Sequence, residues 1–485
     1  TAFKLSADTN KAYYALFELN SYSVSVVTQF KTATSSNTLP ASYSTGTTGG
    51  TVSGTGTFTH GTKVTLTASA KTGYTFVGWF PSVSETSASG TGTTYTISSL
   101  TGATTMYARF EQTKYTVTIK AFYQSPASAT TLGSLTLGTT GGTLSGSFAL
   151  SNSNGTYTVS VYHGVSITFT ATPATNYQIA GWYSTGDCTG SSLGTSATLA
   201  RTISGTSTFS VKFVAKAYAL SLAVRYRSAT SATALGDIAT DTTGIAGTAT
   251  GAGSYYVSKT VSLTATAKTG YVFVGWYSDS ACSSLLATGS TTSSYSYTTG
   301  ASAKTIYAYF EQAKYLVTLT SRYQAATSAT ALGTLTTGET GGYARIASAL
   351  NASGTVVTSV ASGYIYHGQN ATISATAKTS VTISSISRNF TFAGWFSNAA
   401  CTTSTTGGSR TITGNTTLYA KFVNATFTIN ASAYFKSATS ATALGSLTSG
   451  TDGGTATGGT FYHGFTGTAT ASAKTNYRLV GWYSD

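Results

Sequence analysis

The stretch KTGYVFVGWYSD, Lys268–Asp279, decides how this chain is read. Its core returns as KTGYTFVGWF at 71–80, NYQIAGWY at 176–183, FTFAGWF at 390–396 and KTNYRLVGWYSD at 474–485. All 5 tryptophans of the 485 residues sit in it: Trp79, Trp182, Trp276, Trp395 and Trp482. A motif returning at such intervals describes one module built five times, and a repeat of this kind sets the architecture ahead of any local pattern. In YTFVGWF, strict alternation sends Tyr74, Phe76, Gly78 and Phe80 to one face and Val77 and Trp79 to the other. Both faces are apolar, which predicts a central strand covered on both sides. The five indoles are therefore expected as core markers rather than as an exposed aromatic strip. The glycine before each of them leaves room for a neighbouring chain.

Nineteen residues before the tryptophan lies a second landmark. It is His60, His163 and His463, each followed by glycine, and His367–Gly368 joins them once nine extra residues, VTISSISRN, are allowed for. The third module carries Val257 there. One imidazole per module does not make a metal site, and the slot works without it, so His-Gly reads as a turn with glycine free to take positive φ. The following segment alternates, as in Val64, Leu66, Ala68 or Ile167, Phe169, Ala171 with Ser or Thr between, and predicts a strand with one wet face. Each unit opens on another alternating strand, such as YTVTIKAFY at 115–123, and closes on one such as TMYARF, TIYAYF or TLYAKF. The SATSATAL-type segments between opening strand and leucine read as loops.

Junctions are short. After Phe17, Phe110, Phe213, Phe310 and Phe422 come ELNS, EQTK, VAKA, EQAK and VNAT, with no Gly or Pro, before the next opening aromatic. Tight junctions of fixed length predict modules held at a defined angle, hence a stiff rod. The boundaries expected are 1–20 (the end of a preceding module, or a donor segment), 21–112, 113–215, 216–312, 313–424 and an incomplete unit at 425–485. The fold class expected is mainly all-β: a tandem array of about five small modules, β-sandwich-like or β-grasp-like, forming a rod or fibre.

Composition narrows the partners. Only 8% of residues are charged, against about 25% in average soluble proteins. The net charge is +14, but lysines and arginines are scattered singly, which argues against nucleic acid, where one basic face is the rule. Weak attraction to an anionic cell-wall polymer or polysaccharide remains open. No run of about 18 apolar residues is present, so no membrane span is expected. The 3 cysteines, Cys188, Cys282 and Cys401, each fall six residues after a tryptophan. They read as small buried hydrophobes or as intermolecular bridge points. No nucleophile elbow, P-loop or zinc motif occurs, and the recurring acids Glu18, Glu111 and Glu311 sit at junctions. An enzyme is not expected, nor a cofactor or a metal.

The set YTVTIKAFY…GGTLSG…YHGVSITFTATPATNYQIAGWYS…TFSVKF resembles the divergent internalin-type B-repeat, also called the Listeria–Bacteroides repeat, along nearly the whole chain. The resemblance implies a secreted or cell-surface bacterial protein whose repeats act as spacers, stalks or adhesive modules, a β-grasp fold in the shorter family members, and no catalytic residues. The function expected is a non-enzymatic extracellular fibre, stalk or sheath component whose main partner is copies of itself. The alternative is an adhesin whose exposed tyrosines bind glycans or a host surface. Residues 1–17, TAFKLSADTNKAYYALF, match the segment TTYTISSLTGATTMYARF after Trp79, and 425–485 stops just past Trp482. Two expectations follow: a slice of a longer repeat protein, or strand complementation in which 1–17 of one copy fills the sheet left open at 425–485 of the next. A head-to-tail contact that does not close gives a filament.

Overall fold

A computed structural model describes residues 12–288 and 293–484. Residues 1–11 of the expected donor segment, and Asp485, lie outside the described residues. Among those described there is no helix, and so none long and apolar enough to cross a membrane, which says nothing of a β-barrel.

Module 1 shows how the pattern folds. The opening strand Ser21–Lys31 runs parallel to the closing strand Thr104–Gln112, with Val24 opposite Thr104 and Lys31 opposite Glu111. The tryptophan strand Tyr74–Phe80 runs antiparallel along the other side of the closing strand. The closing strand thus lies between the other two, and in modules 2–4 the tryptophan strand is itself interior, paired on its far side by a further short strand. Parallel pairing of the first and last strands needs a long crossover between them. That crossover supplies a second sheet, Gly50–Ser53, Val64–Ala70 and Thr94–Ile97. Val64, Leu66 and Ala68 of this sheet and Trp79, Met106, Ala108 and Phe110 of the first close on one core.

The tryptophan strand is apolar on both faces for a different reason. Phe76 stands opposite Phe110 and Gly78 opposite Arg109, so Val77 is an extra, bulged residue. A bulge reverses the face taken by everything after it. Phe76 and Trp79, assigned to opposite faces by simple alternation, therefore meet edge to face with ring centroids 5.3 Å apart. The same irregularity falls at Ala180, Val274 and Ala393. It brings Phe273 to 5.5 Å from Trp276 and Phe392 to 5.7 Å from Trp395.

The chain divides into two compact units. One consists of the chain up to Ala219 with Ser254–Thr260 and Thr298–Ser302; the other of Leu220–Gly253, Val261–Tyr297 and the chain from Ala303 onward. The first holds modules 1 and 2. In module 2, Lys114–Gln124 pairs in parallel with Ser207–Ala215, which Tyr177–Tyr183 flanks. Its core gathers Ile119, Ile167, Phe169, Trp182 and Phe213.

In the second unit, module 3 pairs Leu220 through Arg227 with Lys304 through Glu311, and module 4 pairs Lys314–Gln324 with Thr416–Asn424. The insert VTISSISRN folds as a hairpin, Val381–Ile383 against Ile386–Arg388. Its two turn residues, Ser384 and Ser385, have φ of 49° and 64°, the left-handed pair that a tight hairpin turn demands. In module 5, Thr426–Ile429 pairs with Gly459–Tyr462 and Gly454–Thr457 with Thr470–Ala473. The tryptophan segment there has no partner strand among the described residues.

Candidate functional site: the module junctions

The sequence-marked residues divide by environment. Trp79, Trp182 and Trp276 are fully buried and Trp395 is 7% exposed. Trp482 is 51% exposed, with Leu479, Val480 and Tyr483 open beside it. The core role expected of Trp482 is corrected, because no closing strand covers its segment among the described residues. Phe110, Phe213, Phe310 and Phe422 are fully buried, whereas Phe17 is 89% exposed. The closing phenylalanine explains the Gly-Gly stretches. A Cβ at Gly49 would lie 2.6 Å from the Phe110 Cβ, and one at Gly247, Gly142 or Gly342 would strike the ring of Phe310, Phe213 or Phe422 at 2.5–2.7 Å. Only glycine lets the second sheet pass over that ring.

His60, His163, His367 and His463 all sit at turns, and the glycines after them have φ of 73–93°. The turn is also where one module meets the last. His163 N–H donates to Thr113 O (2.9 Å), and Thr113 N–H to Gly73 O (2.8 Å). The imidazole lies on Gly73, where any side chain would collide with the ring, and meets Tyr115 edge-on at 6.0 Å. The pattern repeats at His367 with Ala313 O (2.8 Å), Gly270 and Tyr315 (5.8 Å). At His463, N–H donates to Ala425 O (2.7 Å) while Asn389 Nδ2 stands 3.2 Å from the ring Nε2.

Sequence reasoning missed the side-chain amide two residues past the closing phenylalanine. Gln112, buried at the strand end, accepts from Ala33 N–H through Oε1 (2.5 Å) and donates through Nε2 to His163 O. Gln312 repeats both bonds, from Ala229 N–H and to His367 O, each at 2.5 Å. Asn424 does so with Ala326 N–H (3.3 Å) and His463 O (2.9 Å). One amide thus ties the loop of its own module to the turn of the next. The available signal was an amide residue at a fixed offset in EQTK, EQAK and VNAT. The SATSATAL-type loops, also read only as loops, reach forward as well: Ala232 O accepts from Tyr366 N–H (3.2 Å) and Ala329 O from Tyr462 N–H (2.8 Å). In module 1 the side chain of Asn37 plays this part, bonding Ser160 O (2.9 Å) and Tyr162 N–H (3.0 Å). Net hydrogen bonds of this kind contribute about 1 kcal/mol each, enough in sum to couple neighbours.

Other polar chemistry is structural. Arg109 is buried, stacks on Phe80 at 4.0 Å and donates to Gln29 Oε1 (3.0 Å) and Val83 O (2.7 Å). Cys188, Cys282 and Cys401 are free thiols at left-handed turn positions, φ 59°, 53° and 52°. Burial pushes all three thiols up, Cys282 to about 11. Among the described residues no group of three or more His, Cys, Asp or Glu gathers as a metal site would.

Residues 41–114, 135–216 and 239–314 match the divergent InlB B-repeat domain, and residues 357–421 match the Listeria-Bacteroides repeat domain, together more than half of the chain. The chain belongs to the B-repeat family. B-repeats occur in bacterial surface proteins and are typically non-catalytic modules. No curated protein matches this B-repeat chain. Among solved structures, similarity is found to the Bacillus anthracis TIE protein, at 10% identity over 75% of this chain and 72% of that one, TM-score 0.30. Drosophila N-cadherin EC1-4 follows at 7% identity, 75% and 82% coverage and TM-score 0.10. Protocadherin gamma B2 extracellular cadherin domains 3-6 give 8% identity, 82% and 98% coverage and TM-score 0.11. Likeness at these scores carries no argument.

Proposed function

We propose that this B-repeat chain is a non-enzymatic structural component of a bacterial surface, a stalk or fibre lying outside the cell, and that copies of it associate by strand complementation. The observation that carries the structural reading is the junction: between modules 1 and 2, 3 and 4, and 4 and 5, neighbours meet through a buried phenylalanine, a paired turn and a side-chain amide. The adhesin alternative needs exposed tyrosine in every module. Among the described residues the exposed tyrosines are Tyr13, Tyr14, Tyr434, Tyr477 and Tyr483, which fall in module 5 and in the segment before module 1; the others are more covered. The +14 charge supports loose attraction to an anionic cell-wall polymer.

Complementation rests on two matching features. The segment Leu479–Tyr483 is uncovered where modules 1–4 hold a closing strand. Residues 12–19, AYYALFEL, repeat the closing pattern of TMYARFEQ, and Tyr14, Leu16 and Phe17 are 85–93% exposed. A strand with that pattern offers main-chain bonds and an aromatic anchor to an open sheet. The test is a synthetic peptide of residues 12–20 added to the purified chain. It is expected to shift Trp482 emission to the blue and to suppress any fibres seen by electron microscopy. A chain that stays monomeric at high concentration, with Trp482 emission unmoved by the peptide, refutes complementation. Binding of the intact chain to a glycan array through its tyrosines would overturn the structural reading itself.

A further inference from the structure

The clasp between modules has three members: a loop N–H, a strand-end amide, and the carbonyl and ring of the turn histidine. Ala33, Gln112 and His163 supply them between modules 1 and 2; Ala229, Gln312 and His367 between modules 3 and 4; Ala326, Asn424 and His463 between modules 4 and 5. The corresponding positions that follow module 2 are Pro126, Ala215 and Val257. Each is six residues before its leucine, two after its phenylalanine, or nineteen before its tryptophan, as in the other sets once the nine-residue insert between His367 and Trp395 is allowed for. All three differ together from the other sets, and each difference leaves out one part of the clasp. Proline has no N–H to give, alanine has no amide, and valine has no imidazole.

Within the first unit these residues line a recess of about 190 Å³ with Thr175, Asn176, Tyr177, Lys216 and Ser258. It lies where the amide and the ring stand in the other sets. Main-chain pairing is kept there, since Lys216 N–H donates to Asn176 O (2.7 Å) and Tyr256 N–H to Ala129 O (3.0 Å). What is lacking there is the side-chain clasp.

We propose that the amide clasp is what transmits stability from one module to the next, and that its absence at Pro126, Ala215 and Val257 breaks the chain into two cooperative blocks, modules 1–2 and modules 3–5. In a tandem array, stability is the sum of module terms and nearest-neighbour interface terms. Removing one interface term uncouples its two sides and leaves each module's own packing intact. The inference depends neither on surface location nor on self-association.

The test is hydrogen exchange on the full chain, destabilising one module and reading the next. Trp79→Ala in module 1 is expected to speed exchange of the module 2 opening-strand amides, Val117–Ala121, roughly tenfold or more, the size of coupling between contacting groups. Trp182→Ala in module 2 is expected to leave the module 3 amides Leu220–Val224 within about twofold. Adding Gln112→Ala to Trp79→Ala should silence the first response. Adding Pro126→Ala, Ala215→Gln and Val257→His to Trp182→Ala should create the second. Equal transmission across both junctions in the otherwise native chain overturns the proposal, as does transmission from module 1 that survives Gln112→Ala. If the repaired chain does not fold, the Gln112→Ala arm decides alone.

Discussion

Replacing Trp79 by alanine tests the module's architecture most directly. The indole is fully buried, donates through Nε1 to Gly92 O at 2.9 Å, and meets Phe76 at 5.3 Å and Tyr95 at 6.1 Å. Truncation removes its transfer energy, opens a cavity between the two sheets and leaves the Gly92 carbonyl without that bond. Losses of this kind cost about 3–5 kcal/mol. At about 1.4 kcal/mol per factor of ten, opening of module 1 becomes roughly a hundred to a few thousand times more frequent. The assay is native-state hydrogen exchange on the full chain, read at the closing strand Thr104–Gln112, with Trp482→Ala as the internal comparison. Because Trp482 is 51% exposed, its removal should cost about 1 kcal/mol or less, visible only as a change of a few-fold at Thr426–Ile429. If the two substitutions had equal effects, or if Trp79→Ala left module 1 exchange unchanged, the two-sheet core described here would be wrong.

Two further outcomes concern single groups. The Asp279 carboxylate accepts from the backbone N–H of Ser283 (3.1 Å) and Ser284 (2.6 Å), and these bonds hold its pKa down to about 2. A group lowered in the folded state contributes above its ordinary carboxylate range and loses that contribution as pH falls through the folded value. The turn at 279–284 should therefore persist to about pH 2, and an NMR titration midpoint for Asp279 near the ordinary value of about 3.9 would refute the bonding. Cys282, raised by burial to about 11, should react with a thiol reagent at pH 8 roughly two orders of magnitude more slowly than an exposed cysteine. Its rate should still be climbing above pH 10, and labelling as fast as a free thiol would place the side chain in solvent.

Much of this was legible in the chain before folding. Period-two alternation in YTVTIKAFY and in the VTLTA segments marks strands, because the inward side chains share one face. Positive φ after histidine follows from glycine, and the closing phenylalanines fall at core positions in modules 1–4. The bulge was not legible in the same way. Val77 between Phe76 and Gly78 looks like one more alternating residue, and only pairing against Phe110 and Arg109 shows that it is extra. The amide of Gln112 was visible as a letter at a repeated offset, but what it binds, Ala33 N–H and His163 O, lies 79 and 51 residues away.

The sequence by itself determined that the chain is a repeat of β modules, since alternation and turn chemistry are local properties carried by neighbouring residues. Only the tertiary structure decided which strands lie side by side, which side of the bulge each aromatic takes, and which polar groups bind module to module. Those outcomes depend on partners dozens of residues apart, whose meeting is set by sheet topology and register rather than by any pattern within one strand.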